Sequence, residues 1–463
     1  MKGGLSTARM SVELPAGAAE VSRRLLEAGY RCFLVGGAVR DRLLGREPQD
    51  YDLATDARPE AVRALLPGAV VDDAAFGRVL VGEVDVLTLR RESAYKDRRH
   101  PSRVVFSRSI RADLARRDFT CNALALDVAG GECVDPFGGR RDIALGVLRA
   151  VGSPQRRFAE DALRILRAVR LRAQLGFSYH PALAAALAEA GATASLAHVS
   201  AERVRDELGA ALMAPGGGAA LRDLQRYGLL AGTLPECLPM VGCAQSNPMH
   251  LYDVWEHSVR AAEAAPAQAA LRWAALLHDV GKPACRTVDA AGMTHFYGHE
   301  TVGAELAGAI LRRLRLPEAF VRRVAALVRH HMFSYAPETR LGAARRLVLA
   351  LGAEGVRDLL ELRRADRAAA RWGQGYGPEG ERLLGHLIAL REAGERFALG
   401  DLAVDGRDVM AARGLPAGPR VGEVLRALHQ AVLDDRLPNE RAALLDHLRA
   451  LPTTPDVSAP GPG

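Results

Sequence analysis

Three groups of side chains in this sequence have types and spacings that suit chemistry. The first is Asp50-Tyr51-Asp52, preceded by Gly36-Gly37. Alternate residues of an extended chain face the same way, so Asp50 and Asp52 would project two carboxylates to one side. Two like charges that close call for a cation, and Mg²⁺ with oxygen ligands suits them. Cations held this way activate an attacking hydroxyl and bridge a triphosphate. Gly36-Gly37 lets backbone N–H groups approach phosphate oxygens. Asp85, flanked by Val84 and Val86, is a candidate third carboxylate. Taken alone, such a tripeptide more often marks two surface aspartates at the start of a strand.

The second group is Asp161, Arg164 and Arg167 in EDALRILRAVR. A helix there would make Asp161 and Arg164 neighbours on one face. A carboxylate accepts and a guanidinium donates. Cytosine offers an amino donor beside the N3 acceptor, and adenine an amino donor beside N1. One Asp and one Arg meet both patterns. Uracil and guanine present the reverse polarity and would leave buried groups unpaired. The competing reading is an i,i+3 surface ion pair, which the residues by themselves favour. The third group is histidine. Seven of the 13 fall within residues 250–331: His250, His257, His278, His295, His299, His330 and His331.

The elements that must position these groups change character along the chain. Val21–Ala28 and Ala38–Leu44 read as helices. Arg31–Val35, Asp52–Ala54, Val104–Phe106 and Ala123–Val128 read as strands, and Val79–Leu89 as a hairpin turning at Gly82. From Phe158 to about residue 449 the apolar period is helical, with breaks at 214–218, 247–248 and 373–380. The class is α+β: a mixed-sheet head followed by an elongated all-α body. The expected divisions are a head over 20–150, a helical neck over 151–228, a domain over 240–370, a helical region over 371–450 and a disordered tail from 451 to 463.

Composition sets the outer limits. The 463 residues suggest about three structural units. No run of 18 apolar residues occurs, so no membrane span is expected, and the N-terminus has no apolar segment of the secretory kind. Six scattered cysteines with no CxxC pair fit reduced thiols and a cytoplasmic location. The net charge of +7 and pI of about 9.3 favour a polyanionic partner. Only Lys2, Lys96 and Lys282 are lysines, an arginine excess along the whole chain that reflects coding bias.

The stretch LVGGAVRDRLLGREPQDYDLAT (Leu34 to Thr55) resembles the catalytic signature of the class II tRNA nucleotidyltransferase and bacterial poly(A) polymerase family. The resemblance continues in order through RRDFTCNALALD (Arg116 to Asp127), DPFGGRRDI (Asp135 to Ile143), RFAEDALRILRAVRLRAQLGF (Arg157 to Phe177) and SAERVRDEL (Ser200 to Leu208). It resumes in DGRDVM and LPNERAALL. It implies a nucleotidyltransferase-fold head in which Asp50 and Asp52 bind Mg²⁺ and catalyse transfer, with Asp85 as a possible third member. It carries base reading onto Asp161 and Arg164 and nucleotide contact onto Gly36, Gly37, Arg40, Arg116, Asp118, Asn122, Arg167 and Arg170. Arg117 stands open between a phosphate contact and a solvated charge. Arg91 to Arg103 resembles the mobile loop of members that switch from C to A addition.

LLHDVGKP (Leu276 to Pro283) resembles the HD phosphohydrolase superfamily, whose pattern would fall on His257, His278, Asp279 and Asp366. That implies a divalent transition metal that activates water. Lys282 is a candidate phosphate contact, and His299 with His330 or His331 are further candidate ligands. The function implied is addition of C, C and A to the 3′ end of tRNA from CTP and ATP. The alternatives are an A-only or CC-only enzyme, a poly(A) polymerase, an HD phosphohydrolase with an RNA-binding head, and a non-catalytic RNA-binding module.

Overall fold

The computed structural model describes residues 12–95, 101–189, 196–246, 249–392, 394 and 398–451. The chain divides into two compact units where length suggested three. One runs to Leu238 and includes Arg313–Arg315; the other comprises Pro239–Arg312 and the chain from Leu316.

The first unit is built on strands β1 (Cys32–Val35), β2 (Leu53–Thr55), β3 (Val70–Asp73), β4 (Arg78–Val81), β5 (Val84–Thr88), β6 (Arg90–Tyr95), β7 (Pro101–Phe106), β8 (Ala125–Asp127) and β9 (Cys133–Val134). Seven of them form one mixed sheet in the order β3-β4-β5-β2-β1-β8-β9. The β2–β5 pair is parallel; β1 pairs antiparallel with both β2 and β8. The run CFLV of β1 is buried along its whole length, as a central strand covered on both faces requires. The expected hairpin forms, with β4 antiparallel to β5 across the Gly82 turn. Strand β3 was not anticipated: VVDD is half-exposed and carries two acidic residues, so its period is weak. Helices α1 (Ala16–Glu27) and α2 (Gly37–Leu43) flank β1, and Phe33, Val35, Ala54, Leu89, Leu114 and Ala125 share one buried cluster.

Two local expectations need correction. The polar segment Arg91–Arg103 is not simply a loop, because β6 and β7 pair antiparallel from Arg90–Phe106 to Tyr95–Pro101; residues 96–100 lie outside the described residues. The EDALRILRAVR stretch is also not one continuous helix. One helix ends at Glu160, Asp161 is extended (φ −145°, ψ 109°), and the next helix begins at Leu163. The Asp161 carboxylate accepts from the Leu163 N–H at 3.1 Å. A short acidic side chain competes for such a donor and favours a cap over a helix interior.

Among its described residues, the regular structure of the second unit is helical apart from the short pair Thr287–Val288 and Thr294–His295. Helix Val254–Ala264 packs against Ala269–Leu277 and Leu341–Ala369, and Ala269–Leu277 packs against Glu318–His330. The break anticipated at 373–380 holds only in part, since a helix starts at Gly377. The break at 247–248 and the tail from Pro452 lie outside the described residues. No described helix is long and apolar enough to cross a membrane, and all six cysteines are unpaired.

Candidate functional site

Strand pairing sets the paired aspartates. The Val35 N–H donates to the Asp52 carbonyl at 3.0 Å, which places the Gly36-Gly37 turn beside Asp52. Gly36 has φ +72°, and a Cβ there would come within 2.8 Å of Arg117 Nη1. Only glycine allows both this turn and the guanidinium against it. In the parallel β2–β5 pair Leu53 stands opposite Val86, so Asp52 and Asp85 fall side by side one residue earlier. Asp85 is itself held by Arg78 at 2.8 and 3.0 Å. Burial pushes the Asp52 carboxyl above its usual range, and Asp85 and Asp50 push it further, against Arg117 and Arg78. Crowded carboxylates of this kind suit a hard cation, which would relieve the repulsion.

Two cavities meet at Asp52. One, of about 350 Å³, takes Gly36, Gly37, Asp52, Arg116, Asp118, Asn122, Asp161, Arg164 and Arg167 into its lining. The other, of about 610 Å³, is lined by Gly37, Asp50 and Asp52 together with Arg40 and Arg170. The expected nucleotide set is therefore divided. Arg40 does not line the smaller cavity, but it donates at 2.7 Å to the Oδ1 of Asn122, which does. Arg170 is engaged by Glu207 at 2.6 Å and Gln174 at 2.7 Å.

Asp161 and Arg164 line one cavity but do not pair with each other. Asp161 Oδ2 accepts from Arg203 at 2.9 Å. Arg164 donates to Glu160 at 2.7 Å and to the Arg116 carbonyl at 3.0 Å, and its side chain is 11% exposed. The surface ion pair that the residues alone favoured is not formed. A carboxylate oxygen has two lone pairs, so Asp161 keeps acceptor capacity for a base edge. Arg167 donates to buried Asp118 at 2.6 Å, and Arg167 with Arg164 outweighs burial to hold that carboxyl low. Arg116 is tied to Asp113 and Glu92. Arg117 stands beside Asp52 with its side chain 14% exposed, and is no freely solvated charge. Arg90 and Arg203 also line this cavity and were not anticipated. Arg203 lies in SAERVRDEL, some forty residues from the carboxylate it holds, and no local spacing signals that pairing.

In the second unit five elements bring the histidines together. His257 lies on helix Val254–Ala264, His278 caps helix Ala269–Leu277, His299 opens helix His299–Arg313, His331 caps helix Glu318–His330, and Asp366 lies on Leu341–Ala369. His257 Nε2 is 2.9 Å from Asp366 Oδ1 and 3.6 Å from Asp279 Oδ2, and His278 Nε2 is 3.2 Å from Asp279 Oδ2. Asp366, chosen by its place in a downstream helix, thus sits with His257 and His278. Of the two candidates at 330 and 331, His331 faces the cluster. A Cβ at Gly281 would meet the His299 carbonyl at 2.3 Å, so this glycine lets the two segments close on Asp279. Burial disfavours the charged Asp279 carboxylate, but His278 and Lys282 outweigh it and hold the carboxyl well below its usual range. His295 lines the cavity at this cluster without joining the ligand groups, and is bound to exposed Asp289 at 2.8 Å.

Comparison with known proteins follows the same division. Residues 32–149 match the family described as the Poly A polymerase head domain. Residues 176–240 match the probable RNA- and SrmB-binding site of polymerase A, and residues 301–448 match tRNA nucleotidyltransferase domain 2 (putative). The chain is 40% identical over 419 residues to the A-adding tRNA nucleotidyltransferase of Deinococcus radiodurans, covering 86% of this chain and 90% of that one. It is 35% identical over 425 residues to the CCA-adding enzyme of Geobacillus stearothermophilus, covering 91% and 93%. Among solved structures it is similar to the Bacillus stearothermophilus CCA-adding enzyme in complex with CTP, with a TM-score of 0.70 and 32% identity over 93% of this chain and 96% of that one.

Proposed function

Because the chain belongs to the family of tRNA nucleotidyltransferases and bacterial poly(A) polymerases, we propose that it adds C, C and A to the 3′ end of tRNA from CTP and ATP, in the cytoplasm, releasing pyrophosphate. The observation that carries this reading is the shared cavity: Asp52 and the Gly36-Gly37 turn lie in the same lining as Asp161 and Arg164. A triphosphate laid along the turn and Arg117 has its base at the Asp161–Arg164 end. The Asp161 carboxylate accepts from the amino group of C or A, and the Arg164 guanidinium donates to N3 or N1. Arg203 and the Leu163 N–H fix the carboxylate, and Glu160 fixes the guanidinium. Asp50 and Asp52 would hold Mg²⁺, which supplies charge neutralisation and activation of the attacking hydroxyl. The tRNA 3′ oxygen forms the new bond to the α-phosphorus as the bond to the pyrophosphate breaks.

The Deinococcus radiodurans relative favours a second reading, addition of A alone. Extension of a tRNA lacking its last three nucleotides separates the two. Full CCA addition is expected with CTP and ATP together. A chain that extends only tRNA already ending in CC is an A-adding enzyme, a stop after CC gives a CC-adding enzyme, and long poly(A) on generic RNA gives a polymerase.

We also propose a divalent transition metal on His257, His278, Asp279 and Asp366, serving hydrolysis of small phosphoesters. The ligand spacings support it: the nitrogens and oxygens stand 2.9 to 3.7 Å apart. Neighbouring ligands at ~2.1 Å from one cation lie roughly 3.0–3.4 Å apart, depending on geometry. His278→Ala combined with Asp279→Ala is expected to abolish transition-metal uptake and hydrolysis while leaving C and A addition nearly intact, since the head carries its own carboxylates. Elemental analysis beside a nucleotide-incorporation assay checks both halves. Unchanged metal content in the double variant means these residues are not the ligands.

A further inference from the structure

The proposed reaction has two substrates, and the nucleotide cavity accounts for one of them. An in-line transfer brings the attacking oxygen to phosphorus from the side opposite the leaving group. In the sheet order β4-β5-β2-β1, Asp52 stands at the start of β2. The Gly36-Gly37 turn follows β1 on one side of it, and Asp85 lies on β5 on the other. With the triphosphate along the turn, pyrophosphate leaves on the β1 side, and the 3′ oxygen of the acceptor enters over β5 and β4. On these two strands Leu80 stands opposite Asp85 and Arg78 opposite Leu87, so the four share one face. That face is half-exposed, while Val79, Val84 and Val86 on the other face are buried.

Arg78 lies across this face. Its Nε and Nη2 donate to the two oxygens of Asp85 at 2.8 and 3.0 Å, and its Nη1 donates to Asp72 at 2.8 Å. A guanidinium carries one hydrogen on Nε and two on each terminal nitrogen. One hydrogen on Nη1 and one on Nη2 are therefore left without a partner among the described residues. The side chain is 43% exposed, so both are open to solvent. An ordinary surface ion pair joins two mobile side chains and contributes little. Here carboxylates from β3 and β5 hold one guanidinium from two sides and fix its remaining donors beside Asp52.

We infer that Arg78 binds the phosphodiester that precedes the 3′-terminal ribose of the acceptor RNA, and that the half-exposed face of β4 and β5 seats that terminal nucleotide. The inference rests on the nucleotidyl-transfer reading above and adds to it the place of the second substrate. A phosphodiester presents two non-bridging oxygens, which match a pair of N–H donors on one planar fork. Asp72 and Asp85 offset the charge of Arg78, so the contact works through directed donors more than through net attraction. Leu80 and Leu87 give the terminal sugar and base an apolar surface that reads no base edge. Such a seat accepts each successive 3′ end of a growing CCA.

The test uses the full chain, CTP, and tRNA lacking its last three nucleotides as acceptor. Arg78→Met is expected to raise KM for the tRNA by roughly tenfold or more while moving KM for CTP by less than about twofold. A second acceptor carries an uncharged methylphosphonate in place of its last phosphodiester. It should cost the parent chain roughly tenfold in kcat/KM and cost Arg78→Met little further, because the partner of the altered group is already gone. Arg78→Gln takes the place of Arg78→Met should that variant fail to fold. A fall in kcat with both KM values unmoved makes Arg78 a support for Asp85 alone and overturns the assignment. A methylphosphonate penalty as large in the variant as in the parent overturns it too. A parent chain that incorporates no nucleotide overturns the transfer reading itself, and this assignment with it.

Discussion

Asp52→Ala is expected to lower nucleotide incorporation by roughly a thousandfold or more, because it removes a carboxylate that would hold several kcal/mol worth of metal-assisted catalysis. The same substitution is expected to leave stability unchanged or higher. Burial and the neighbours Asp85 and Asp50 raise the Asp52 carboxyl above its usual range. A raised acid binds its proton more tightly folded than unfolded, so its contribution favours folding at low pH and turns unfavourable as pH rises through the carboxylate range. Without added metal, the stability gain of the variant over the parent should therefore be larger at pH 8 than at pH 4. Thermal unfolding in chelator at the two values, beside labelled-nucleotide incorporation, checks both. A variant that loses activity and stability together would make Asp52 a structural residue.

Selectivity should fail next. Asp161→Ala or Arg164→Ala removes one partner from a largely buried recognition surface, a loss of ~1–3 kcal/mol, roughly 5- to 150-fold in the preference for CTP and ATP over UTP and GTP. Asp161→Ala is the cleaner change. It leaves Arg203, which is 25% exposed, free to turn to solvent, whereas Arg164 also ties Glu160 and the Arg116 carbonyl. Arg203→Ala should relax selectivity by a smaller factor, because it frees the carboxylate without deleting it. The ratio of kcat/KM for CTP and UTP measures all three. Unchanged ratios in both Asp161→Ala and Arg164→Ala would reduce the pair to a structural role.

Much of this arrangement was legible in the sequence where the signal is local. The Gly-Gly turn after an apolar run, the hairpin at Gly82 and the valines around Asp85 each follow from a few adjacent residues. What was misread or left open depends on competition and packing that pattern does not display. The break at Asp161 arises because its side chain takes the Leu163 N–H that a continuous helix would have used otherwise. The position of Arg117 depends on the absence of a Cβ eighty residues away at Gly36. The clustering of the histidines was visible by count, but only packing of helices far apart in the chain separates His331 from His330 and His299 from His295. Asp366 could be chosen from sequence as a carboxylate on a helix; its 2.9 Å approach to His257 belongs to the fold.

The central claim is that one protein cavity chooses C and A without a template. Its most direct test is single-turnover incorporation of each of the four nucleotides onto tRNAs ending before the first C, before the second C and before the final A. The account predicts C on the first two, A on the third, and little U or G on any, with Asp161→Ala losing the distinction. Incorporation of U or G at rates matching C or A in the unsubstituted protein would contradict it.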